Sequence, residues 1–534
     1  MPKPKDRKPE KPVQGPLTLI EAFERSEREI ARLKAENLEL RQKIDDLSRQ
    51  LFGKKSERLK PGELENAAKP SEEPPEPPTP PHVAQAPDVE TPDEAPIPEK
   101  TYPGHGREPL PASLPRERIT VELSPEERLC PCCGKERQPF GQEISELLDY
   151  VPASLRVLEV VRMKYSCKDC QSEVVCAPSP ILPIEKGRPG AGLLAQVITS
   201  KYTDHLPLYR LSTIFARQGV EISRSTLCDW VMRTGSLLQP IVQEMEKSLK
   251  QRPWIGVDET SIGVRDPKAD GQVRKGRMWA YRGAPGEVVF VHTATKAGDG
   301  PAQFLHGFEG YLQADAANNY DRLYASGKIL EVGCWAHTRR KFFAAKEEFP
   351  DLALWALATI RKLYEVERTA KEQQLEPEVI RQQRHEHSLP LIDKFFEWLE
   401  SAKKTVPAKS LMSKAINYAQ NQEAALRRYL EDGRLLIDNN AVERALRQVA
   451  MGRKAWLFAG SSEGAHIGAT LYSLVVSCRE IGIDPYAYLR DLIMRISTHP
   501  ASQIQELTPI GWKKAHTQAE AGPVDEPPLS RPEE

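Results

Sequence analysis

Apolar residues recur at heptad spacing along residues 17–52. With Phe23 at the first core position, Phe23, Ile30, Asn37, Ile44 and Leu51 share one position, and Leu19, Ser26, Leu33, Leu40 and Leu47 share the other. Glu, Arg and Lys fill most positions between, which predicts a coiled coil over 17–59. Asn37, polar among Ile and Leu layers, would fix register and favour two strands; an amphipathic helix packed on its own chain is the alternative. Residues 1–16 lack the period and read as disordered. The pattern stops at an acidic, Pro-rich linker over 60–117. Sixteen of the 46 prolines fall within 61–115, leaving too little apolar area to offset the cost of ordering the chain.

Beyond the linker the period changes with each segment. Residues 118–180 hold short apolar runs, Leu147–Val161 and Arg162–Tyr165, that read as strands. Residues 181–250 are helical. Leu206–Phe215 predicts one helix, Gly219 a turn, and Ser223 an N-cap for a helix through Thr226–Val231. That outline fits a helix-turn-helix, with a plain helical hairpin as the alternative. Over 251–349, three short strands (Pro253–Asp258, Arg277–Arg282, Glu287–Thr293) precede helix Pro301–Phe308. Strand Tyr311–Asp315, another helix, strand Ile329–Cys334 and helix Trp335–Lys346 follow. Three hairpin-linked strands and then αβαβα is the order of a ribonuclease-H-like, retroviral-integrase-like core. Residues 350–432 predict an α-helical insertion, 433–465 a second part of the core, 466–515 a C-terminal helical domain and 516–534 a disordered tail. The fold class is multidomain α/β.

Composition narrows the function. The 534 residues are 39% hydrophobic and 28% charged, ordinary for a chain that buries a core. Apolar stretches such as Leu471–Cys478 fall short of the ~18–20 residues of a membrane span. The charged start, Met1–Lys8, leads into no apolar run of a secretory signal. Net charge is −1, yet 61–99 carries −9 and 517–534 carries −4, so the remainder holds about +12. That surplus suits a polyanion. Lys201, Arg210, Arg217 and Arg224 would contact phosphates from the helical region, and Arg339, Arg340 and Lys341 from a basic helix start. For Arg339, Arg340 and Lys341 a solvated face is the alternative.

Nine cysteines in a cytosolic chain point to metal rather than disulfides. Cys130, Cys133, Cys167 and Cys170 form two C-x-x-C knuckles, the recipe for one tetrahedral structural Zn²⁺. The 33 residues between the pairs require an inserted β-structure, and buried thiols are the alternative. Cys334 and His337 sit at C-x-x-H spacing without two further ligands, so Cys334 reads as core packing beside Trp335 and His337 as lying near the active-site edge or a phosphate.

The catalytic candidates are acids. Asp258 closes the apolar run Trp254–Val257, and Asp315 closes Tyr311–Ala314. Ends of neighbouring strands would bring the two carboxylates together, a repulsion that Mg²⁺ relieves. A third acid from a helix, Glu443 one turn after the capping residues Asp438–Asn440, would complete a two-metal site for phosphodiester chemistry. Glu259, Asp321 and Asp438 compete for these roles, and a solvated or capping acid is the ordinary reading of each.

Together these residues resemble the insertion-sequence-66 family of bacterial DDE transposases. The acidic motifs Asp258-Glu259-Thr260, Leu312-Gln313-Ala314-Asp315 and Asp438–Arg444 carry the likeness. So do Leu51–Arg58 after the zipper, the cysteine knuckles, Lys201–Arg210 and Ser223–Trp230. Gly333–Phe343, Gly452–Gly460 and Asp484–Leu489 extend it over nearly the whole chain. The resemblance implies that Asp258, Asp315 and Glu443 hold two Mg²⁺, that a transposon end is cut to free a 3′-hydroxyl, and that this hydroxyl attacks target DNA. It implies double-stranded DNA partners (terminal inverted repeats and target), a homodimer or higher homo-oligomer, accessory transposition proteins, and a bacterial cytoplasmic, nucleoid-associated setting without a membrane. Two departures stand out. Ala316-Ala317-Asn318-Asn319 follows Asp315 where the family more often has an aromatic and Gly. The Lys or Arg that many DDE enzymes carry seven residues after the Glu is Ala450, with Arg447, Arg453 and Lys454 as nearby DNA-contact candidates. A catalytically dead zinc and helix-turn-helix DNA-binding protein, or a nuclease without strand transfer, are the rival readings.

Overall fold

The computed structural model describes residues 154–520 apart from 167–173, 177–181, 185–186, 188, 266–271 and 317–318. The coiled coil expected over 17–59, the linker over 60–117, and the ligand candidates Cys130, Cys133, Cys167 and Cys170 lie outside the described residues. Residues 154–163 form no strand, contrary to the apolar pattern; pairing starts where β1 (Lys164–Ser166) meets β2 (Val174–Cys176) antiparallel.

Three helices follow: α1 (Ala191–Tyr202), α2 (Leu208–Arg217) and α3 (Arg224–Lys250). Gly219 turns the chain between α2 and α3 at φ 84°, in the left-handed region that Gly tolerates. Ser223 caps α3 as its sequence suggests, its hydroxyl accepting from the Thr226 amide at 3.1 Å. At 27 residues α3 runs far past the expected Val231, because Leu238, Ile241, Val242, Met245 and Leu249 continue a buried stripe.

The main sheet is built on β3 (Trp254–Arg265), which pairs antiparallel with β4 (Val273–Arg282), itself antiparallel to β5 (Val288–Thr293). After α4 (Asp299–Phe304), β6 (Gly310–Gln313) joins the other edge of β3 in parallel. After α5 (Asp321–Tyr324), β7 (Ile329–Val332) adds in parallel to β6. The order is β5-β4-β3-β6-β7. Helix α6 (Trp335–Ala344) then leads into a helical excursion of α7 (Pro350–Glu372), α8 (Pro377–Gln383), a π-turn at Arg384–Ser388, α9 (Leu389–Lys403), α10 (Leu411–Asn421) and α11 (Glu423–Arg427). These helices enclose a core of their own around Trp335, Phe342, Phe395 and Trp398.

The chain returns through α12 (Asn440–Trp456), the short β8 (Phe458–Ala459), α13 (Ser462–Glu480), α14 (Pro485–Arg495) and α15 (Pro509–Glu520). Helix α13 is apolar on nearly every side because it lies against β5 within the sheet's core. It also protects that edge strand: Ser477 Oγ accepts from the Val288 amide at 3.0 Å, and Ser473 Oγ from the Phe290 amide at 2.8 Å. Residues 516–520, expected to open the disordered tail, continue α15, where Trp512 stacks on His516 and donates to Asp491 at 2.9 Å. Among the described residues no helix is long and apolar enough to cross a membrane.

Helix α12 reaches β3 because Gly256 lacks a side chain. A Cβ there would lie 2.8 Å from Val442 Cγ2 and 3.0 Å from Asn439 Oδ1. Gly256→Val should push α12 off the sheet and cost ~1–3 kcal/mol, as overpacking does. Urea unfolding checks this; an unchanged midpoint would mean that the helix has room.

Candidate active site

Register brings the first two acids together. Gly256 stands opposite Gln313 in the last pair of the parallel β3–β6 ladder, so Asp258, still within β3, and Asp315, just past the end of β6, each follow two residues later. Asp258 does not end its strand, as the sequence suggested; β3 continues to Arg265 through the ladder with β4. What ends near Asp258 is the pairing with β6, so its carboxylate emerges where the edge of β3 opens.

Helix α12 closes that opening from above. Asn439 heads the helix, yet its side chain does not cap it. Its amide nitrogen instead donates to the Val257 carbonyl at 2.8 Å. At the far end, Arg453 donates to the Ser261 carbonyl and to Ser261 Oγ (2.9 Å). Glu443 rides between these ties in the first turn. The N-terminal turn is shaped by Asp438, whose carboxylate accepts from the Asn440 amide at 3.0 Å and from the Tyr364 hydroxyl at 2.7 Å. Asp438 is therefore occupied with structure.

The charges of these acids act on one another. Burial, opposed by the Glu259 amide donating to Asp258 Oδ1 at 2.8 Å, and the charges of Asp315, Glu259 and Glu443 push Asp258 up to about 7. Asp315 is also raised, by burial first and then by Glu259 and Glu443, against the pull of His337 and Lys296. Its Oδ1 is buried without a hydrogen-bond partner, as is the Tyr320 hydroxyl. Burial and the charges of Asp315 and Glu259 hold Tyr320 well above the usual tyrosine range.

Glu443 is held differently. Arg340 grips it with one nitrogen, 2.8 Å from Oε1 and 2.7 Å from Oε2. His337 Nε2 lies 3.1 Å from Arg340 Nη1 and 3.8 Å from Glu443 Oε1. Among the described residues no three His, Cys, Asp or Glu side chains form a ready metal-ligand group. The donor set nonetheless suits a hard divalent cation at Asp258 and Asp315, where proximity is costly and one buried oxygen is unsatisfied. Glu443 is close enough to influence both charges, and its carboxylate is committed to Arg340.

Two participants escaped the sequence reading. Lys296 pairs with buried Glu259 at 2.7 Å, and no motif marks it. Asn439 lay within a quoted motif, but its reach across 182 residues to Val257 carries no local signal.

The other sequence candidates divide by exposure. Arg210, Arg217, Arg224, Lys341, Arg447 and Lys454 are exposed. Lys201 is partly covered, its ammonium 4.0 Å from the Trp456 ring centroid, and burial lowers it to about 8. Arg339 lies over Phe343 at 5.9 Å. Arg340 and Arg453 are engaged with Glu443 and β3. Cys334 is buried at the head of α6, its sulfur accepting from the Asn439 amide at 3.3 Å.

Comparison with known proteins gives this arrangement a class. A model described as "Transposase IS66 family" matches residues 186–467, and the "zinc-finger binding domain of transposase IS66" matches 127–171. The "IS66 C-terminal element" matches 473–510, and a model described as "Transposase C of IS166 homeodomain" matches 39–119. The chain is a multidomain, mixed α/β protein of transposase type with a zinc-finger segment. It belongs to the IS66 transposase family. Among its relatives are three uncharacterized proteins of Sinorhizobium fredii. The first, y4hP, is 32% identical over 435 residues, 77% of each chain. The second, y4jD, is 32% identical over 421 residues, 76% of this chain and 81% of the relative. The third, y4qI, is 34% identical over 439 residues, 79% of each chain.

The raised Asp258 makes a pH prediction. Between the ordinary carboxylate pKa near ~4 and the folded value of about 7, the native state keeps a proton that the unfolded chain has released. Stability of the metal-free protein therefore falls as pH rises through that window. Asp258→Asn should remove much of the decline. In chelator, its melting temperature should exceed the parent's at pH 8 and converge with it near pH 4; parallel pH profiles would contradict the assignment.

Proposed function

We propose that the chain is a DDE transposase whose Asp258, Asp315 and Glu443 form the catalytic trio of a ribonuclease-H-like core. The observation that carries this reading is the equal register of Asp258 and Asp315 beside α12, with the charge of Glu443 acting on both. The sheet order β5-β4-β3-β6-β7, three antiparallel strands followed by two parallel ones, supports the core assignment. So does the family model spanning both parts of the core.

The trio would hold two Mg²⁺, which supply charge stabilisation for the attacking and leaving oxygens of a phosphodiester. In the first reaction a water oxygen bonds to phosphorus as the 3′-oxygen at the transposon end leaves and takes up a proton. In the second, that 3′-hydroxyl loses its proton, bonds to a phosphorus of target DNA and displaces a 3′-oxygen there. The chain's own part is positional. The β3–β6 register sets the two aspartates, Lys296 neutralises Glu259 beside them, and Asn439 with Arg453 fixes the helix that presents Glu443. Arg340 must yield its grip before Glu443 can join the aspartates.

Zn²⁺ on Cys130, Cys133, Cys167 and Cys170 would organise the zinc-finger segment. The N-terminal heptads would make the protein a dimer or higher oligomer on paired DNA ends, working on the nucleoid in the bacterial cytoplasm. Accessory transposition proteins would assist.

Asp258→Asn, Asp315→Asn and Glu443→Gln should each reduce Mg²⁺-dependent cutting and joining of element ends by roughly a hundredfold or more. Direct ligands should matter at least as much as the outer partners of metal sites, whose loss costs about 10–100-fold. End binding by gel shift should persist. Undiminished joining in the Asp258 variant would remove the trio; cut ends without joined products from the parent would mark a nuclease, and binding alone a dead core. Metal analysis should find about one Zn per chain, reduced by Cys130→Ser, since four thiolates saturate one tetrahedral ion. A zinc-free, folded protein would overturn that site.

A further inference from the structure

The outer end of the β3–β4 ladder has one face that is open around Arg265, Val273 and Lys275. Ile262, Val264, Gly276 and Met278 are buried on one side, while Arg265, Val273 and Lys275 are exposed on the other. Strand β5 pairs with β4 only from Arg277 to Arg282, so beyond Arg277 the ladder projects as a ribbon. Its remaining neighbour is β8, which sets Phe458 level with Gly263 and, across β3, with Lys275. Leu457 makes that pairing possible by turning the chain at φ 69°, where Gly is usual. A Cβ on Gly263 would lie 3.0 Å from Val273 Cγ1 and 3.2 Å from Phe458 Cβ, so these two side chains close over the glycine. An apolar strip, with Phe458 39% and Val273 51% exposed, thus runs between Arg265 and Lys275.

On this face the described ladder carries Arg265, Lys275 and Arg277, whereas Arg274, level with Val264, is exposed on the opposite one. The connecting residues 266–271 add Asp266, Lys268 and Asp270 to the sequence. At the inner end, Glu259 pairs with Lys296 at 2.7 Å and lies 4.0 Å from Arg277, which leaves Arg265 and Lys275 as the cations offered by this face. Basic residues flanking an exposed apolar strip on a twisted two-stranded ribbon fit the major groove of duplex DNA, which admits such a ribbon and offers phosphates at its rims and thymine methyls within.

We propose that this ribbon is a duplex-DNA contact surface that holds the helix flanking the phosphodiester at Asp258. The proposal rests on the transposase reading and specifies where the DNA lies. From Asp258 to Arg265 the strand climbs seven residues, about 23 Å at ~3.3 Å each. That length matches about seven base pairs at ~3.4 Å spacing. The ribbon therefore reaches half a helical turn or more away from the cut.

The test uses the full-length protein and a 5′-labelled 30-base-pair duplex across a salt series. The double variant Arg265→Ala/Lys275→Ala alters exposed side chains only, and circular dichroism verifies its fold. It should bind more weakly, with a log–log salt slope shallower by about 1.8, since each lost phosphate contact removes ~0.9. In a second arm, a photo-crosslinking amino acid in place of Phe458 should attach to the duplex. An unchanged slope, absence of a crosslink from position 458 in a DNA-bound protein, or no duplex binding by the parent would each overturn the surface. The two readings fail separately. A shallower slope with undiminished joining by Asp258→Asn leaves the surface and removes the trio, whereas an unchanged slope with a dead Asp258 variant does the reverse.

Discussion

The docking of α12 against the open edge of β3 is the constraint on which the site depends. Strand β6 covers that edge only to Gly256, and β8 only from Gly263, leaving a stretch between them without a strand partner. Buried backbone carbonyls there need donors. Asn439 satisfies Val257, and Arg453 satisfies Ser261, from two ends of one helix. Two hydrogen bonds that close an exposed strand edge therefore also determine where Glu443 stands. Gly256 allows the approach, and any side chain there would compete with Val442.

The helical excursion contributes to the same end from a distance. Buried Arg384 pairs with Glu367 at 2.7 Å and donates to the carbonyls of Tyr429, Asp432 and Leu435. Those carbonyls belong to the segment leading back to α12. Gln313, at the end of β6, donates to the Leu436 carbonyl at 2.6 Å, and the Trp335 amide donates to Ile437 at 3.2 Å. The returning chain is thus clamped between sheet and excursion directly before Asp438. A charged side chain only 2% exposed is expensive to bury unless its donors are satisfied. Here Glu367 and the three carbonyls explain its presence, and its loss would be felt at Glu443 through the chain rather than through space.

The sheet was legible where physics is local. Alternation and apolar runs located β5, β6 and β7 within two residues and the inner halves of β3 and β4, because each strand buries at least one face there. The same rule failed beyond Asp258: Glu259, Thr260, Ser261 and Gly263 interrupt the apolar run, so the strand seemed to end. Its extension is held by the ladder with β4 rather than by its own hydrophobicity. Ser223 read correctly as a cap because capping is decided within three residues. Asn439 read as a cap and proved to be a long-range tie, since a competing carbonyl 182 residues away cannot be inferred from spacing. Two-residue β8 gave no periodic signal, and residues 516–520 offered too little apolar pattern to show that Trp512 and His516 would stack. The acids were nameable as strand-end and helix-start residues. Their shared register, and the partner that Arg340 supplies to Glu443, required the fold.

That partner also offsets part of the negative charge gathered at this edge. Asp258, Asp315 and Glu259 crowd one end of the sheet, and burial removes the water that would screen them. The chain answers with three different compensations. Asp258 stays protonated up to about 7, Glu259 is matched by Lys296, and Glu443 is matched by Arg340. The first two leave the carboxylates near one another, while the third draws Glu443 toward α6. A divalent cation held beside Asp258 would favour its deprotonated form, whereas the guanidinium of Arg340, 2.7 Å from Glu443, already offsets one carboxylate of this edge.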